Sequence, residues 1–208
     1  MSRRQRLERA FFARPAREVA RDLLGRRLVS RTAGGRVAGS IVESEAYCDG
    51  EAPDLACHGD RANQGRPTPR TRVMFGEAGL AYVYFTYGMH WMFNIVTGSA
   101  GVANAVLIRA LEPTEGLAIM RERRGGDKAI LTTGPARLAM ALGIGPRHNG
   151  ADLCAAKAEI WIEPGRPVLD PEVSTGARVG LGTTPEPGLS MPWRFWVSAN
   201  RHVSPPRR

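Results

Sequence analysis

Lysine is nearly missing from this chain: of 29 basic residues among 208, only Lys128 and Lys157 are lysines. Lys128 stands in the polar stretch RRGGDKA and Lys157 in the alanine-rich CAAKAE, so neither neighbourhood reads as an aromatic or acidic pocket. Chemistry through a Schiff base on a side-chain amine is therefore disfavoured, which leaves only the N-terminal amine to supply one. Cysteine is scarce as well. Cys48, Cys57 and Cys154 form no CxxC pair, and an odd count without regular spacing points to free thiols. Cys48, Cys57 and His58 fall short of the four ligands of a structural zinc site, and the H-x-E…P-C-x-x-C pattern of zinc deaminases is missing. No metal and no cofactor is expected. No apolar run approaches the ~18 residues of a membrane span, and the basic N-terminus leads into no secretory apolar core. The expectation is a cytoplasmic protein without a membrane partner, nucleoid-associated in a bacterium or nuclear in a eukaryote. Repeats and low-complexity linkers are absent too.

What the chain does carry is positive charge. Its net +9 attracts a polyanion at a distance, and duplex DNA is the densest polyanion in a cell, bound largely through counterion release. The competing explanation is a compositional bias toward arginine. A hydrophobic fraction of 43% is enough for a sizeable core. One domain over residues 1–208 is expected, with 1–14 and 201–208 as loose basic tails.

Along the chain, ARPAREVARDLL predicts a helix, with Pro15 near its start, Gly25 after its end and Val19, Leu23 and Leu24 as its apolar stripe. RRLVSRT predicts a strand, and Gly34-Gly35 a turn into VAGSIVESEAY. Period-two counting there puts Ile41, Glu43, Glu45 and Tyr47 on one face and Val42, Ser44 and Ala46 on the other. Residues 48–72 are polar and aperiodic, the mark of either a functional loop or a wrongly assigned stretch. LAYVYFTY and HWMFNIV form a hairpin around Gly88, followed by a strand in NAVLIRAL. GLAIMRERR and GPARLAMALGI predict short helices, and EIWIE and RFWVS brief strands. The fold class is α+β: a compact domain with a curved antiparallel sheet, flanking helices and a protruding hairpin.

All four tyrosines, Tyr47, Tyr82, Tyr84 and Tyr87, fall within 41 residues. Tyr82 and Tyr84 share a strand face, and tyrosines gathered this way either sandwich a flat ring, as base-extruding enzymes require, or form an ordinary aromatic core. Tyr87, with Gly88 and Met89 after it, sits at the hairpin tip, where an outward ring is suited to wedging between base pairs or to packing on the turn. Arg109 closes the apolar strand AVLIRAL and needs a buried carboxylate partner. A carboxylate and an arginine together can hold and deprotonate a water; Glu43 and Glu45 both qualify, and a structural ion pair is the alternative. Asn94, the one amide in HWMFNIV, either gates a pocket or bonds to a neighbouring loop. His58 lies in the long loop, and Arg61, Arg66, Arg70 and Arg72 after it suit phosphate contacts.

The strings IVESEAY, TPRTRVMFG, YVYFTYGMHWMFNIV, VLIRALEPTEG, GPARLAMALGI, ARVGLG and PWRFWVS, in this order from about residue 16 to residue 204, resemble the alkyladenine (methylpurine) DNA glycosylase family. The resemblance implies a monofunctional DNA glycosylase of base excision repair, acting as a monomer on duplex DNA that holds damaged purines. It implies Glu45 as the general base, with Arg109 and the main-chain carbonyl of Val179 as partners in holding the nucleophilic water. It assigns Tyr47, His58 and Tyr84 to the base pocket with Tyr82 beside them, Tyr87 to intercalation next to Met89, and Asn94 to disfavouring normal guanine. Expected lesions are 3-methyladenine, with hypoxanthine and ethenoadenine as neutral ones on which members differ. A non-catalytic DNA-binding module on the same scaffold is the rival reading. Two departures stand out: the stretch from Tyr47 to His58 is longer than in mammalian members, and Thr71 stands where asparagine is more usual, changing how the loop is pinned.

Overall fold

The structure, a computed structural model, describes residues 6–47, 54–61, 63–126 and 130–205, apart from the side chains of residues 60, 61 and 63. Helix α1 (Arg9–Phe12) and helix α2 (Ala16–Asp22) lead into the hairpin of β1 (Arg27–Thr32) and β2 (Gly35–Tyr47). Pro15 precedes α2, and Val19, Leu23 and Leu24 are buried as the apolar stripe requires. Gly25 ends the helix at φ +78°, where a Cβ would lie 1.9 Å from the carbonyl oxygen of Arg166. The one-turn helix α3 (His58–Arg61) follows, then the hairpin of β3 (Ala81–Thr86) and β4 (His90–Val96), and β5 (Ala105–Glu115). Helices α4 (Leu117–Arg123) and α5 (Pro135–Leu142) precede the short strands β6 (Ile160–Glu163), β7 (Val173–Gly176) and β8 (Arg194–Val197). The α+β expectation holds: the sheet is antiparallel, in the order β3-β4-β5-β2-β1-β6, with β8 also on β2 and β7 on β8.

β2 is the spine. Along one edge it pairs with β5; along the other it pairs with β1 up to Ser40 and with β8 from Glu43 onward. Between these halves the ladder slips: Ile41 faces Leu111, Glu43 faces Ala110 and Ser44 faces Ile108, so Val42 and Arg109 have no residue opposite them. This irregularity overturns strict alternation. Ile41 packs into the main core together with Ala46, whereas Val42 joins Ala110, Trp196 and Val203. A bulge re-aims the residues before it, and no residue type in VAGSIVESEAY announces one.

The main core lies on the sheet face covered by α2 and α5, where Val83, Phe93, Ile95, Val106 and Ile108 alternate inward against Leu23, Leu138 and Leu142. Their neighbours on the same strands, Tyr82, Tyr84, Asn94 and Leu107, point to the opposite face, and there the cleft lies.

Three elements escaped the sequence reading: α1, α3 and β7. The expected tails are in part packed. Phe12 is fully buried in the core, the Leu7 N–H donates to Ile162 O at 2.9 Å, and Val203 and Ser204 are buried. Apolar area under the sheet draws the N-terminal aromatic in, and a carboxylate deep in β2 draws in Ser204.

Candidate functional site

An aromatic wall comes first. Tyr82 and Tyr84 project side by side from β3, with ring centroids 5.3 Å apart and tilted by 34°. His58, delivered by α3, stands edge-on to Tyr84 at 4.7 Å and places Nδ1 3.0 Å from the Tyr82 hydroxyl. Burial pushes the Tyr84 hydroxyl up to about 12 and raises that of Tyr82 as well. Tyr47, at the end of β2, is raised well above the usual tyrosine value, by burial first and then by the charge of Glu45. All three therefore stay protonated at neutral pH. Tyr47, His58, Tyr84, Asn94, Arg109 and Val179 line one cleft of about 450 Å³, a size suited to a small flat ligand.

Behind this cleft lies the carboxylate of Glu45, fully buried. Its Oε1 accepts the Val179 N–H at 2.7 Å and stands 3.1 Å from Arg109 Nη1; its Oε2 accepts the Tyr47 hydroxyl at 2.9 Å. All three partners line the cleft, so Glu45 meets its edge through them. Arg109 Nη1 also donates to the Val179 carbonyl at 3.5 Å. Burial disfavours the charge of Arg109, but Glu45 and Glu43 outweigh it and raise its pKa above the ordinary guanidinium value.

Glu43 has different surroundings. Its Oε1 accepts from Arg109 Nε at 2.7 Å, Arg194 Nε at 2.8 Å and Ser204 Oγ at 2.8 Å, while Oε2 accepts the Ser204 N–H at 2.6 Å. That carboxylate is saturated by protein donors and lies away from the cleft. The two acids that sequence alone left equivalent are thus separated: Glu43 anchors Arg109, and Glu45 lies behind the ring pocket, bonded to three residues that line it without lining it itself.

Asn94 donates its amide to the Tyr82 carbonyl at 3.1 Å, which leaves its side-chain oxygen to meet a ligand. At the hairpin tip Tyr87 is 75% exposed and Met89 65% exposed. Tyr87 holds φ +52°, rare for a bulky residue, and Gly88 follows at φ +66°. Of the loop arginines, Arg66, Arg70 and Arg72 are exposed; Arg70 also lies 5.1 Å over the Tyr84 ring and donates to the Phe85 carbonyl at 3.4 Å. The Arg61 side chain and Cys48 lie outside the described residues. Thr71 pins its turn with Thr68: the hydroxyls lie 2.9 Å apart, and each main-chain N–H donates to the other's hydroxyl oxygen, at 3.0 and 3.2 Å.

Sequence reasoning missed two groups. A second cleft of about 510 Å³ shares Arg109 and Pro135 with the first and is lined by Arg124 and Arg137. The pKa of Arg124 is lowered, by burial and then by the charge of Arg137 beside it, and among the described residues neither is paired with a carboxylate. Two facing like charges suit an anion. In sequence they stand in RERR, where Arg124 follows the end of α4, and in PARL within α5, with nothing to connect them. The other group is Arg178 with Asp54, a buried pair joined across the chain.

A pocket for a flat ring, backed by a buried carboxylate and an arginine in a basic protein, fits a hydrolase of N-glycosyl bonds in DNA, the class that the family and the names of its relatives give. The chain belongs to the methylpurine-DNA glycosylase family, whose sequence profile matches residues 10–201. A protein of Carboxydothermus hydrogenoformans named "Putative 3-methyladenine DNA glycosylase" is 44% identical over 95% of this chain and 98% of its own length. Proteins of the same name in Myxococcus xanthus and Rhodopseudomonas palustris are 47% and 45% identical, over 97% of this chain and 96% and 92% of theirs. Among the described residues no helix is long and apolar enough to cross a membrane.

Proposed function

We propose that this protein excises alkylated purines, 3-methyladenine foremost, from duplex DNA by flipping the nucleotide and hydrolysing its glycosidic bond with a water activated by Glu45. The observation that carries this reading is the Glu45 carboxylate held by Arg109, Val179 and Tyr47 at the edge of the ring cleft. The damaged base enters between Tyr47 and the His58–Tyr84 wall. Purines alkylated at N3 or N7 are cationic, and aromatic faces attract a desolvated cation by ~1–2 kcal/mol. Such a base is already a good leaving group. Glu45 takes the proton of a water, oriented by Arg109 and the Val179 carbonyl, as it attacks C1′ of the deoxyribose; the purine departs with the bonding electrons, and no covalent intermediate forms. Asn94 meets the base edge and discriminates against the exocyclic amine of guanine. The Arg124–Arg137 cleft holds a phosphate next to the extruded nucleotide, and the protein acts as a monomer.

The test is base release. Duplex DNA treated with a methylating agent is expected to yield free 3-methyladenine by chromatography, with strand breaks only after alkali. Duplexes carrying a single hypoxanthine or ethenoadenine, assayed in parallel, define the range over neutral lesions. Failure to free any purine would sink the reading.

Tyr87 fills the gap in the stack. Because it is mostly exposed, Tyr87→Ala is expected to leave the melting temperature unchanged while weakening affinity for a lesion-bearing duplex by about tenfold, the loss of one stacked ring. Fluorescence anisotropy with labelled duplex checks this; undiminished affinity would remove Tyr87 from the DNA interface.

A further inference from the structure

Arg178 does not line the cleft and is 4% exposed, yet it ties together three segments that do: the end of β2, the turn before His58 and its own loop. Nη1 donates to the carbonyl of Ala46 at 2.9 Å and to Asp54 Oδ2 at 2.7 Å; Nη2 donates to Asp54 Oδ1 at 2.8 Å and to the carbonyl of Gly188 at 2.9 Å. The same group lies 4.7 Å from the Tyr47 ring centroid and 5.0 Å from that of Trp193. Its chain neighbour is Val179, whose N–H meets Glu45. Asp54 is fully buried: its Oδ1 accepts the Ala56 N–H at 3.1 Å and its carbonyl accepts the Cys57 N–H at 2.8 Å, closing the turn that delivers His58.

A buried ion pair is a poor way to stabilise a fold, since apolar residues of equal volume do as well or better. What it supplies is geometry. Only a planar guanidinium can grip both oxygens of one carboxylate, reach two carbonyls in the same plane and still stack on a ring. We propose that Arg178 and Asp54 are the positioning pair of this site. They lock the His58 loop and the Val179 loop to the end of β2, and so set the distance between the ring wall and Glu45. The proposal rests on the reading of Glu45 and the ring cleft given above. Neither residue touches substrate; each acts through Tyr47, His58 and Val179.

The full-length protein is tested as Asp54→Asn and, separately, Arg178→Lys, by hydrogen exchange and by single-turnover excision from methylated duplex. Faster exchange is expected in peptides covering residues 54–61 and 178–190 while the sheet core stays protected. The excision rate constant should fall at least about tenfold, as displaced catalytic groups demand, with affinity for lesion-free duplex within about twofold of wild type. Arg178→Lys should retain more activity than Arg178→Met, because it keeps the charge and part of the bonding. Unchanged exchange in the two loops, changed exchange with an unchanged rate, or exchange rising throughout the chain in both variants would each overturn the proposal. A wild type that releases no base contradicts the proposed function instead, and the loop exchange then still decides whether the pair locks these segments.

Discussion

Glu45→Gln is expected to abolish excision almost completely while leaving the folded protein and its grip on DNA intact. Glutamine has the same shape: its side-chain oxygen, in the place of Oε1, can still accept from the Val179 N–H, while its amide, in the place of Oε2, donates to the Tyr47 oxygen once that hydroxyl turns away. Arg109 keeps Glu43 as a charged partner at 2.7 Å, so no cation is stranded. What disappears is the capacity to take a proton from water. Loss of a positioned base removes about two to four orders of magnitude of rate. Single-turnover release from methylated duplex measures it, with affinity for the same duplex compared at one fixed salt concentration, since phosphate binding is salt-dependent. A rate within tenfold of wild type would dismiss Glu45 as the base.

Glu43→Gln should do the reverse and damage the fold first. Glu43 accepts from both Arg109 and Arg194, which are 5% and 1% exposed, and from Ser204 twice. Neutralising it removes the carboxylate that the two buried guanidiniums share, and Arg109 keeps only Glu45, at 3.1 Å. Breaking such a network costs about 3–5 kcal/mol, which for a chain of this size lowers the melting temperature by roughly 10 °C. Excision falls as well, because Arg109 loses the anchor that aims it. Thermal melting followed by circular dichroism checks this; a melt within about 2 °C of wild type would mean that Glu43 is not the structural acid. Two acids two residues apart thus separate cleanly, one in rate and the other in stability.

Much of this was legible in the residues themselves. The hairpin of Ala81–Thr86 and His90–Val96 follows from alternating apolar residues around Gly88, and the α5 helix from Pro135 at its start and Gly143 after its end. Tyr82 and Tyr84 share a strand face as period two implied, and Tyr47 and His58 line the same cleft, which only the family resemblance had suggested. The rest depended on contacts between residues far apart in the chain. Nothing local distinguishes Glu43 from Glu45; the difference is made by Arg194 and Ser204, more than 150 positions later. Asp54 and Arg178 meet over a separation of 124 residues, and sequence spacing carries no trace of it. Arg70 lies over the Tyr84 ring, a contact between the loop and β3 that neither segment announces by itself. The slip in β2 defeats period-two counting because a bulge is a property of two strands, and one strand's sequence holds only half of it.

That slip also divides a single strand into two territories. Upstream of Val42, substitutions press on Leu23, Leu111 and the helices and will register as lost folding free energy. Downstream, they act on Glu43, which registers in stability, and on Glu45 and Tyr47, which register in turnover. Deleting Val42 alone would leave the extra position at Arg109 on β5 uncompensated, so one half of β2 would shift by a residue and turn its faces over. Drift in length is therefore far less tolerable at this point of the chain than drift in composition.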